Sequence, residues 1–581
     1  QLFQVYGFSM VSGYVRRGVA VLTAEVVGPK QRTVLTRLAC RQPARLLPMQ
    51  TSDAERARCA SCALAGYGGG FLGGDEFDFE VVVGAEAALS LTTQSSTKVY
   101  CTKRDGFVSR QKLQASVGSG GLLVLSPDPV VLYADAGHVQ EQTFRLGRDA
   151  SIVVVDIVGS GRVARGERWN FKSYHSRSEY FGPDMELAFV DALVLEPTRN
   201  PCEVDLGGVQ RDVVASIVAA GPRASAVADR LRAAAARLAA SQGSVRQPYD
   251  QPEEAFDSLQ FSGDVRMGVA DVPAGRGCKS NVVARVVAAC SEDVTHLVRW
   301  CLTPLESSLG TVPYADRIHG TTHAKRANSL GATPVLHRPK SRPVLISSHD
   351  RLRLMQLTDA TLPTGGFAHS GGVEAAFQFG LLRVKGNTEG ELLTLLSALA
   401  TSHARLHVPF AATAHACVSG APPDGEDLAS LGRRLQALLV VNPAACRASE
   451  LQGRALARLA VPLLCGNQHA VFTSFCHDIV FSKHGAHGHA AIIFGALFGV
   501  LGLEPQVMVE AFVHMTVRDA LSAAVRLNLV GPLRAVALHA KVMETQDIVL
   551  SYDFAWAAGT APLLEASHMC HVMLRSRLFQ T

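Results

Sequence analysis

The sequence predicts two domains of opposite class, a mostly β half followed by an all-α half. Three observations predict it. The chain has 581 residues, more than one ordinary hydrophobic core organises. Between about Val19 and Leu195, apolar residues recur at alternate positions or in short β-branched runs, whereas from about Asp350 they recur at helical spacing. Between the two regimes, Gly320–Asp350 carries Pro334, Pro339 and Pro343 among Lys325, Arg326, His337, Arg338, Lys340 and Arg342, with no apolar period, and reads as a linker. The boundaries drawn are an N-terminal extension over 1–18, a β-rich domain over 19–319, a linker over 320–349 and a helical domain over 350–581.

In the first half, Phe77, Phe79, Val81 and Val83 alternate with Asp78, Glu80 and Val82, the period of a strand with one buried face. Ala88–Thr93, Leu122–Leu125, Val130–Tyr133, Ser151–Val158 and Met185–Leu195 are further β-type runs separated by Gly, Pro, Asp and Ser. Two helices interrupt them. Arg223–Ala240 follows Pro222 with Val227, Leu231 and Leu238 on one face, and Ser291–Leu302 is the second. In the second half, helices are predicted over Glu374–Phe379, Glu391–Arg405, Leu428–Val441, Ala448–Leu464 and Val507–Leu529. Ala490–Leu503 is apolar but shorter than the roughly 20 residues a spanning helix needs, so it is read as a buried helix with Gly495 and Gly499 at a close crossing.

A hydrophobic content of 48% with 18% charged residues places the chain among globular proteins. The net charge of +5 is small for this length, and no Lys/Arg block stands out, so nucleic acid is not an expected partner; nor is a membrane. The 13 cysteines are odd in number and scattered, which suits a reducing compartment and a cytoplasmic protein. Cys59-x-x-Cys62 is the only close pair and has no second pair at finger spacing. Gln1–Gly18 shows no secretory signal.

No nucleotide site is read. Ser151–Gly161 runs a strand into Gly-x-Gly but lacks the third glycine and the helix that a dinucleotide fold requires. Gly275–Ser280 ends like a phosphate loop, but Cys278 stands where a glycine is needed. Polar stretches remain: the turn Gly68–Asp75, the hydroxyl-rich Leu91–Tyr100, Ser126–Pro129 with Asp128, and Arg165–Glu167. Their carboxylates and hydroxyls suit a channel for a hard or borderline divalent cation. His477, His484, His487 and His489, with Asp478, form the densest histidine cluster, and imidazole suits nickel.

Leu362–Ala376 packs four glycines and Pro363 into a tight loop feeding a helix, with His369 and Ser370 where the two meet. Ala368-x-Ser370-x-Gly372 is one residue from the Gly-x-Ser-x-Gly elbow of hydrolases. The helical pattern of Arg351–Thr358 before it is not the buried strand that an elbow needs.

Gly68–Asp75 (GGGFLGGD), Leu91–Tyr100 (LTTQSSTKVY), Ser126–Val130 (SPDPV) and Arg165–Trp169 (RGERW) resemble, in order and spacing, the urease accessory protein family UreD, also called UreH. The resemblance runs from about Val19 to His319 and implies a β-rich scaffold. It implies that Asp75, Thr93, Lys98, Asp128 and Glu167 hold family positions, and that some of them line an internal route for nickel. The family's closing Pro-Arg-x-Trp stands here only as Ala315-Asp-Arg-Ile-His319.

Leu362–Ala376, with Ser449–Arg454, Leu521–Leu527 and Arg577–Phe579, resembles the all-helical urease accessory family UreF, over about Asp350–Thr581. The chain is therefore similar to a fusion of the two. The resemblance implies a non-catalytic maturation factor, with no permanently bound cofactor and nickel only in transit. Its implied partners are urease apoprotein, a UreG-type GTPase whose hydrolysis it regulates, and a second copy of itself through the helical half. It implies partner contacts at His369, Ser370, Glu374, Arg526, Arg577, Leu578 and Phe579, with the tail ordering on complex formation. For the cation path, His487 and His489 join Asp75, Thr93, Asp128 and Glu167. One departure is His571-Val572, where the family usually has His-Glu. The rival readings are a serine hydrolase built on Ser370 and a stand-alone nickel-binding protein.

Overall fold

The structure, a computed structural model, describes residues 16–28, 31–49, 59–67, 69–101, 107–197, 203–241, 259, 261–273, 281–314, 347–382, 388–420, 426–463, 470–481, 487–546, 550–551, 553–574 and 576–581. The proposed linker lies outside these residues except for its last three.

The first half contains the strands β1 (Arg17–Val27), β2 (Arg32–Arg41), β3 (Ala44–Met49), β4 (Cys59–Gly66), β5 (Gly70–Phe71), β6 (Glu76–Val83), β7 (Ala88–Thr93), β8 (Thr97–Val99) and β9 (Ser109–Val117). It continues with β10 (Leu122–Leu125), β11 (Val130–Leu132), β12 (Gly137–Leu146), β13 (Ser151–Gly159), β14 (Ser173–Phe181), β15 (Leu187–Leu195), β16 (Val213–Ala220), β17 (Val265–Asp271) and β18 (Val282–Ala288). One sheet has the order β15-β14-β12-β9-β6-β1-β2 and the other β17-β18-β16-β13-β10-β7-β4-β3. From β6 to β14 the chain passes repeatedly from one sheet to the other, and β6-β9-β12-β14 and β4-β7-β10-β13 each pair in parallel, so the chain winds as stacked coils.

The coils turn at one repeated corner. Glu86, Gly120 and Asp149 each adopt a left-handed φ of 57°, 67° and 55° there. The Gly118 N–H donates to the Val83 carbonyl, and the Gly147 N–H to the Val117 carbonyl. A Cβ on Gly118 would lie 2.7 Å from the Ala85 nitrogen, which is why this corner needs glycine. Phe77, Phe79, Val81 and Val83 face the space between the sheets, all buried, as their alternation predicts. Cys59 and Cys62 belong to two different cores on opposite faces of β4, so they do not converge on one metal ion. Burial pushes their thiols up to about 12 and about 11.

Two boundaries move. The first strand starts at Arg17, inside the expected extension, because Arg17 already pairs with Glu76 in the ladder and bridges the Asp78 carboxylate at 2.7 Å. The last expected strand of its group begins at Leu187, since Met185 turns at a φ of 59°. Helices α1 (Ser225–Ser241), α2 (Ser291–Leu302) and the short α3 (Glu306–Leu309) follow. Val227, Leu231, Leu297 and Val298 of α1 and α2 bury against Val286 and Ile217 of the second sheet.

The second half is helical: α4 (Ser348–Thr358), α5 (Val373–Gln378), α6 (Thr388–Val418), α7 (Leu428–Leu439), α8 (Pro443–Leu463), α9 (Ala470–Phe481), α10 (Ala490–Val500), α11 (Pro505–Arg526), α12 (Pro532–Thr545) and α13 (Pro562–Met569). Helix α6 continues well past the expected end at Arg405 and runs through Pro409, which forfeits one main-chain bond. The predicted crossing is present: a Cβ on Gly495 would lie 2.0 Å from the Ala411 carbonyl oxygen of α6, and one on Gly499 2.7 Å from that of His415. Gly495→Val is therefore expected to destabilise the chain by roughly 3 kcal/mol, read as a fall in the thermal midpoint, because neither helix backbone can yield.

The halves share a core in which Val99, Leu132 and Val287 pack with Val373, Leu392 and Leu564. Helix α13 lies directly on β17, where a Cβ on Gly268 would meet the Ala566 carbonyl oxygen at 2.3 Å. The Val194 N–H donates to the Gly559 carbonyl at 3.0 Å, and the Arg405 guanidinium pairs with Glu196. With His175 also on it, the Glu196 carboxyl is held down at about 2 despite its burial.

Candidate functional site

The glycine-rich loop between α4 and α5 is closed by the end of the chain. The Ser370 N–H donates to the Thr581 main-chain oxygen at 2.7 Å, and the Ser370 hydroxyl donates to the same oxygen at 3.2 Å. His369 Nδ1 and Thr581 Oγ1 are 2.6 Å apart, and the Gln580 N–H donates to the Ala368 carbonyl. Glu374, 1% exposed on the first turn of α5, gathers the rest. Its carboxylate accepts from His571 Nε2 at 3.0 Å, from the Leu578 N–H at 2.6 Å and from the Phe579 N–H at 3.2 Å. These donors outweigh burial and hold the Glu374 carboxyl below its usual range. Arg526, at the end of α11, places its guanidinium 4.3 Å from the Phe579 ring centroid and donates to the Phe367 carbonyl. Phe367 and Leu578 remain 63% and 60% exposed beside this knot.

A second polar feature runs inside the β half. Thr93 and Asp128 line a cavity of ≈ 80 Å³ together with Gln140, Gln142 and Asp156. The Thr93 hydroxyl oxygen accepts the Asp128 N–H at 2.8 Å. Gln140 and Gln142, two residues apart on β12, each donate an amide N–H to Asp156 Oδ1 at 3.0 Å. Burial, with Asp191 close by, pushes the Asp156 carboxyl up to about 6. Asp156 also borders a smaller space with Ser176, Asp191, Ser216 and Arg285. There Arg285, 4% exposed, donates to Asp191 Oδ1 at 2.7 Å, and its Nε lies 3.7 Å from Glu565 of α13.

Arg285 and Glu565 in turn line a third cavity, ≈ 190 Å³, between the halves. His369, His403, His407, His568 and Asp519 face it as well. Burial pushes the His403 imidazole down to about 4, His568 down to about 3, and His407 well below its ordinary value. At neutral pH these rings are uncharged and carry lone pairs. A pH dependence follows with a definite sign. Below pH 6.5 the unfolded chain protonates these rings while the folded chain does not, so stability present above pH 6.5 is lost as the pH falls toward 4. Each ring contributes roughly 1.4 kcal/mol per pH unit. Glu565, which burial pushes up to about 7, acts oppositely between its ordinary 4.5 and 7 and offsets one ring. Urea denaturation midpoints are expected to fall from pH 6.5 to 4.5.

The family comparisons fit this two-part geometry. The UreD urease accessory protein family matches residues 17–319, and the UreF family matches residues 387–543. The chain belongs to the UreD and UreF families of urease accessory proteins, fused in one polypeptide. Its UreD half is 36% identical over 286 residues to urease accessory protein UreD of Sorangium cellulosum, covering 49% of this chain and 80% of the relative. It is 32% identical over 285 residues to urease accessory protein D of Oryza sativa subsp. japonica, covering 49% of this chain and 90% of the relative. The UreF half is 36% identical over 233 residues to urease accessory protein F of Arabidopsis thaliana, covering 39% of this chain and 90% of the relative. The fusion therefore serves urease maturation.

All seven residues expected to contact partners, His369, Ser370, Glu374, Arg526, Arg577, Leu578 and Phe579, come together in the UreF half. The expectation of a tail awaiting a complex meets a tail already docked on its own chain, with Glu374 as the anchor. His571, despite lacking the following glutamate, supplies a polar contact to that anchor. Ser370 is fully buried and its hydroxyl is spent on Thr581, while His369 faces Thr581 and not the serine, an arrangement unlike that of a hydrolase.

The cation-path residues of the UreD half divide. Thr93 and Asp128 face the internal cavity. Asp75 and Glu167 do not line it: Arg16 clamps Asp75 at 2.8 and 2.7 Å, and Arg162 clamps Glu167. Both carboxylates are neutralised in place and hold turns, as the Leu72 N–H on Asp75 and the Ala134 N–H on Glu167 show. Lys98 is exposed on β8. The histidine cluster also separates. His477 and Asp478 are exposed on α9, His484 lies outside the described residues, and His487 and His489 meet Glu450 of α8. Sequence reasoning missed Gln140, Gln142, Asp156, Asp191, Arg285, Glu565 and the buried histidines. The available signal was a single charge inside an otherwise apolar strand, as in Ile152–Val158 and Val282–Ala288.

Among the described residues, no helix is long and apolar enough to cross a membrane.

Proposed function

We propose that the chain is a one-piece scaffold for GTP-dependent nickel insertion. It would grip urease apoprotein through one half, engage a UreG-type GTPase at the UreF half and regulate its hydrolysis, and pass nickel between them through its interior. The observation that carries this reading is a row of three internal spaces whose linings share residues. Asp156 borders the first and second, and Arg285 the second and third. Amide, hydroxyl and carboxylate oxygens in the UreD half give way to neutral imidazoles at the junction, a donor set that a borderline divalent cation accepts throughout. Arg285 holds the narrow point between Asp191 and Glu565. A passing dication would take over those carboxylates while the guanidinium swings aside.

Two surface features support the partner roles. The knot of tail and loop presents Phe367, Arg577 and Leu578 outward on a rigid base, a fit for a protein partner. Leu533 and Val536 of α12, 88% and 71% exposed, support pairing with a second copy through the UreF half. The test is activation of urease apoprotein with nickel, the GTPase, GTP and bicarbonate. The intact chain is expected to activate, and a chain lacking Arg577–Thr581 to lose most of that activity. No activation by the intact chain would refute the reading.

A further inference from the structure

The UreF half carries a cluster that the internal route does not use. Glu450 of α8, with His487 and His489 from the segment leading into α10, bring one ligand atom each to within 4.8 Å of one another. We propose that these three residues form a two-histidine, one-carboxylate site for a borderline divalent cation at the surface of the helical half. Ligand atoms about 2.1 Å from one ion stand roughly 3–4 Å apart, so closure by about an ångström completes one face of a coordination shell. Water fills the remaining positions, which makes such a site open and exchangeable.

The site is built, not incidental. His489 is wholly buried, its Nδ1 lies 3.2 Å from Ser449 Oγ, and its Nε2 has no partner within the protein. In the tautomer where Ser449 accepts the Nδ1 proton, a lone pair is left on Nε2, the state of an imidazole prepared for a metal by its outer neighbour. Two glycines seat the segment directly on helix backbone. A Cβ on Gly453, one turn beyond Glu450, would lie 1.9 Å from the Gly488 carbonyl oxygen, and one on Gly432 of α7 would lie 2.5 Å from that of His487. His487 Nδ1 stands 3.8 Å from Glu450 Oε1, too far for a hydrogen bond and within the reach of two ligands on one ion.

Glu450 and His487 are 45% and 37% exposed, which opens the site to solvent, while Ser449 and Ala490 next to it line the cavity between the halves. The site is therefore placed to take up a cation at the surface beside the junction. Naming that cation nickel rests on the maturation reading; the existence of the site does not.

The experiment is a titration of the intact chain with Co2+, followed by its visible absorption and competed with Ni2+. One equivalent is expected to bind, and His487→Ala and Glu450→Gln, both at partly exposed positions, are each expected to weaken it at least tenfold. Unchanged affinity and stoichiometry in both variants, or no Co2+ bound by the intact chain, would overturn the proposal. The titration decides the site and urease activation decides the maturation reading, so the two fail separately.

Discussion

Glu374→Ala is expected to release the C-terminal tail and to destabilise the chain by roughly 3 kcal/mol or more, since each donor left without its acceptor in a buried setting costs about 1–3 kcal/mol. The carboxylate is 1% exposed and receives His571 together with the Leu578 and Phe579 N–H groups. Alanine would leave the His571 and Phe579 donors buried without this acceptor and the Leu578 N–H without it at the edge. Without that anchor, Phe579 lifts from Arg526 and the Thr581 contacts to His369 and Ser370 lose their register. Limited proteolysis should then cut within 576–581 under conditions where the native chain resists, and the urea midpoint should fall. Glu374→Gln keeps one acceptor oxygen and should fall between the two. Because His571 and the N–H groups hold the Glu374 carboxyl down, its contribution is present above its ordinary pKa of 4.5 and lost as the pH falls below it. A tail that stays protected in Glu374→Ala would contradict the anchoring role.

Arg285→Ala is expected to be as severe, about 3–5 kcal/mol. Its guanidinium is the counter-charge that the buried Asp191 meets directly, and Glu565 and Asp156 both feel it. Removing it leaves Asp156 and Asp191 on the small space, and Glu565 beyond it, without their shared cation. Asp156 and Glu565, already pushed up, would be driven further toward the protonated form. Replacing both partners, Arg285→Met with Asp191→Asn, removes the charge without orphaning it and should recover most of the loss. Denaturation curves for the single and paired variants measure this directly. Equal loss in both would mean that packing, not charge balance, holds the junction.

The elements of both halves were legible because each keeps one period. The alternation of Phe77, Phe79, Val81 and Val83 and the helical spacing of Leu392, Leu395, Leu396 and Leu399 leave little choice of face. What the alternation could not show was parallel stacking. A strand's own period says which face is buried, not which neighbour it pairs with, and the corner glycines Gly118 and Gly147 read as ordinary turns. The family motifs marked the loop and the tail as partner contacts, whereas their closure on one another within the chain, with Glu374 as anchor, required the tail's position. The surroundings of Asp75 and Glu167 could not be read because a carboxylate in a polar turn looks the same whether it faces a cavity or an arginine, and Arg16 and Arg162 are partners that spacing alone does not assign. Asp156, Asp191 and Arg285 stand alone in apolar strands that come together only when β13, β15 and β18 bring them there.

The measurement that tests the central claim most directly is nickel transferred to urease apoprotein by the intact chain and by Asp156→Asn, in complexes shown to form equally well. The substitution keeps the shape of the side chain and removes the charge at the residue shared by the first two internal spaces. An internal route predicts at least a tenfold slower transfer with the complex intact. Transfer at the unaltered rate would mean that the ion does not pass through the β half.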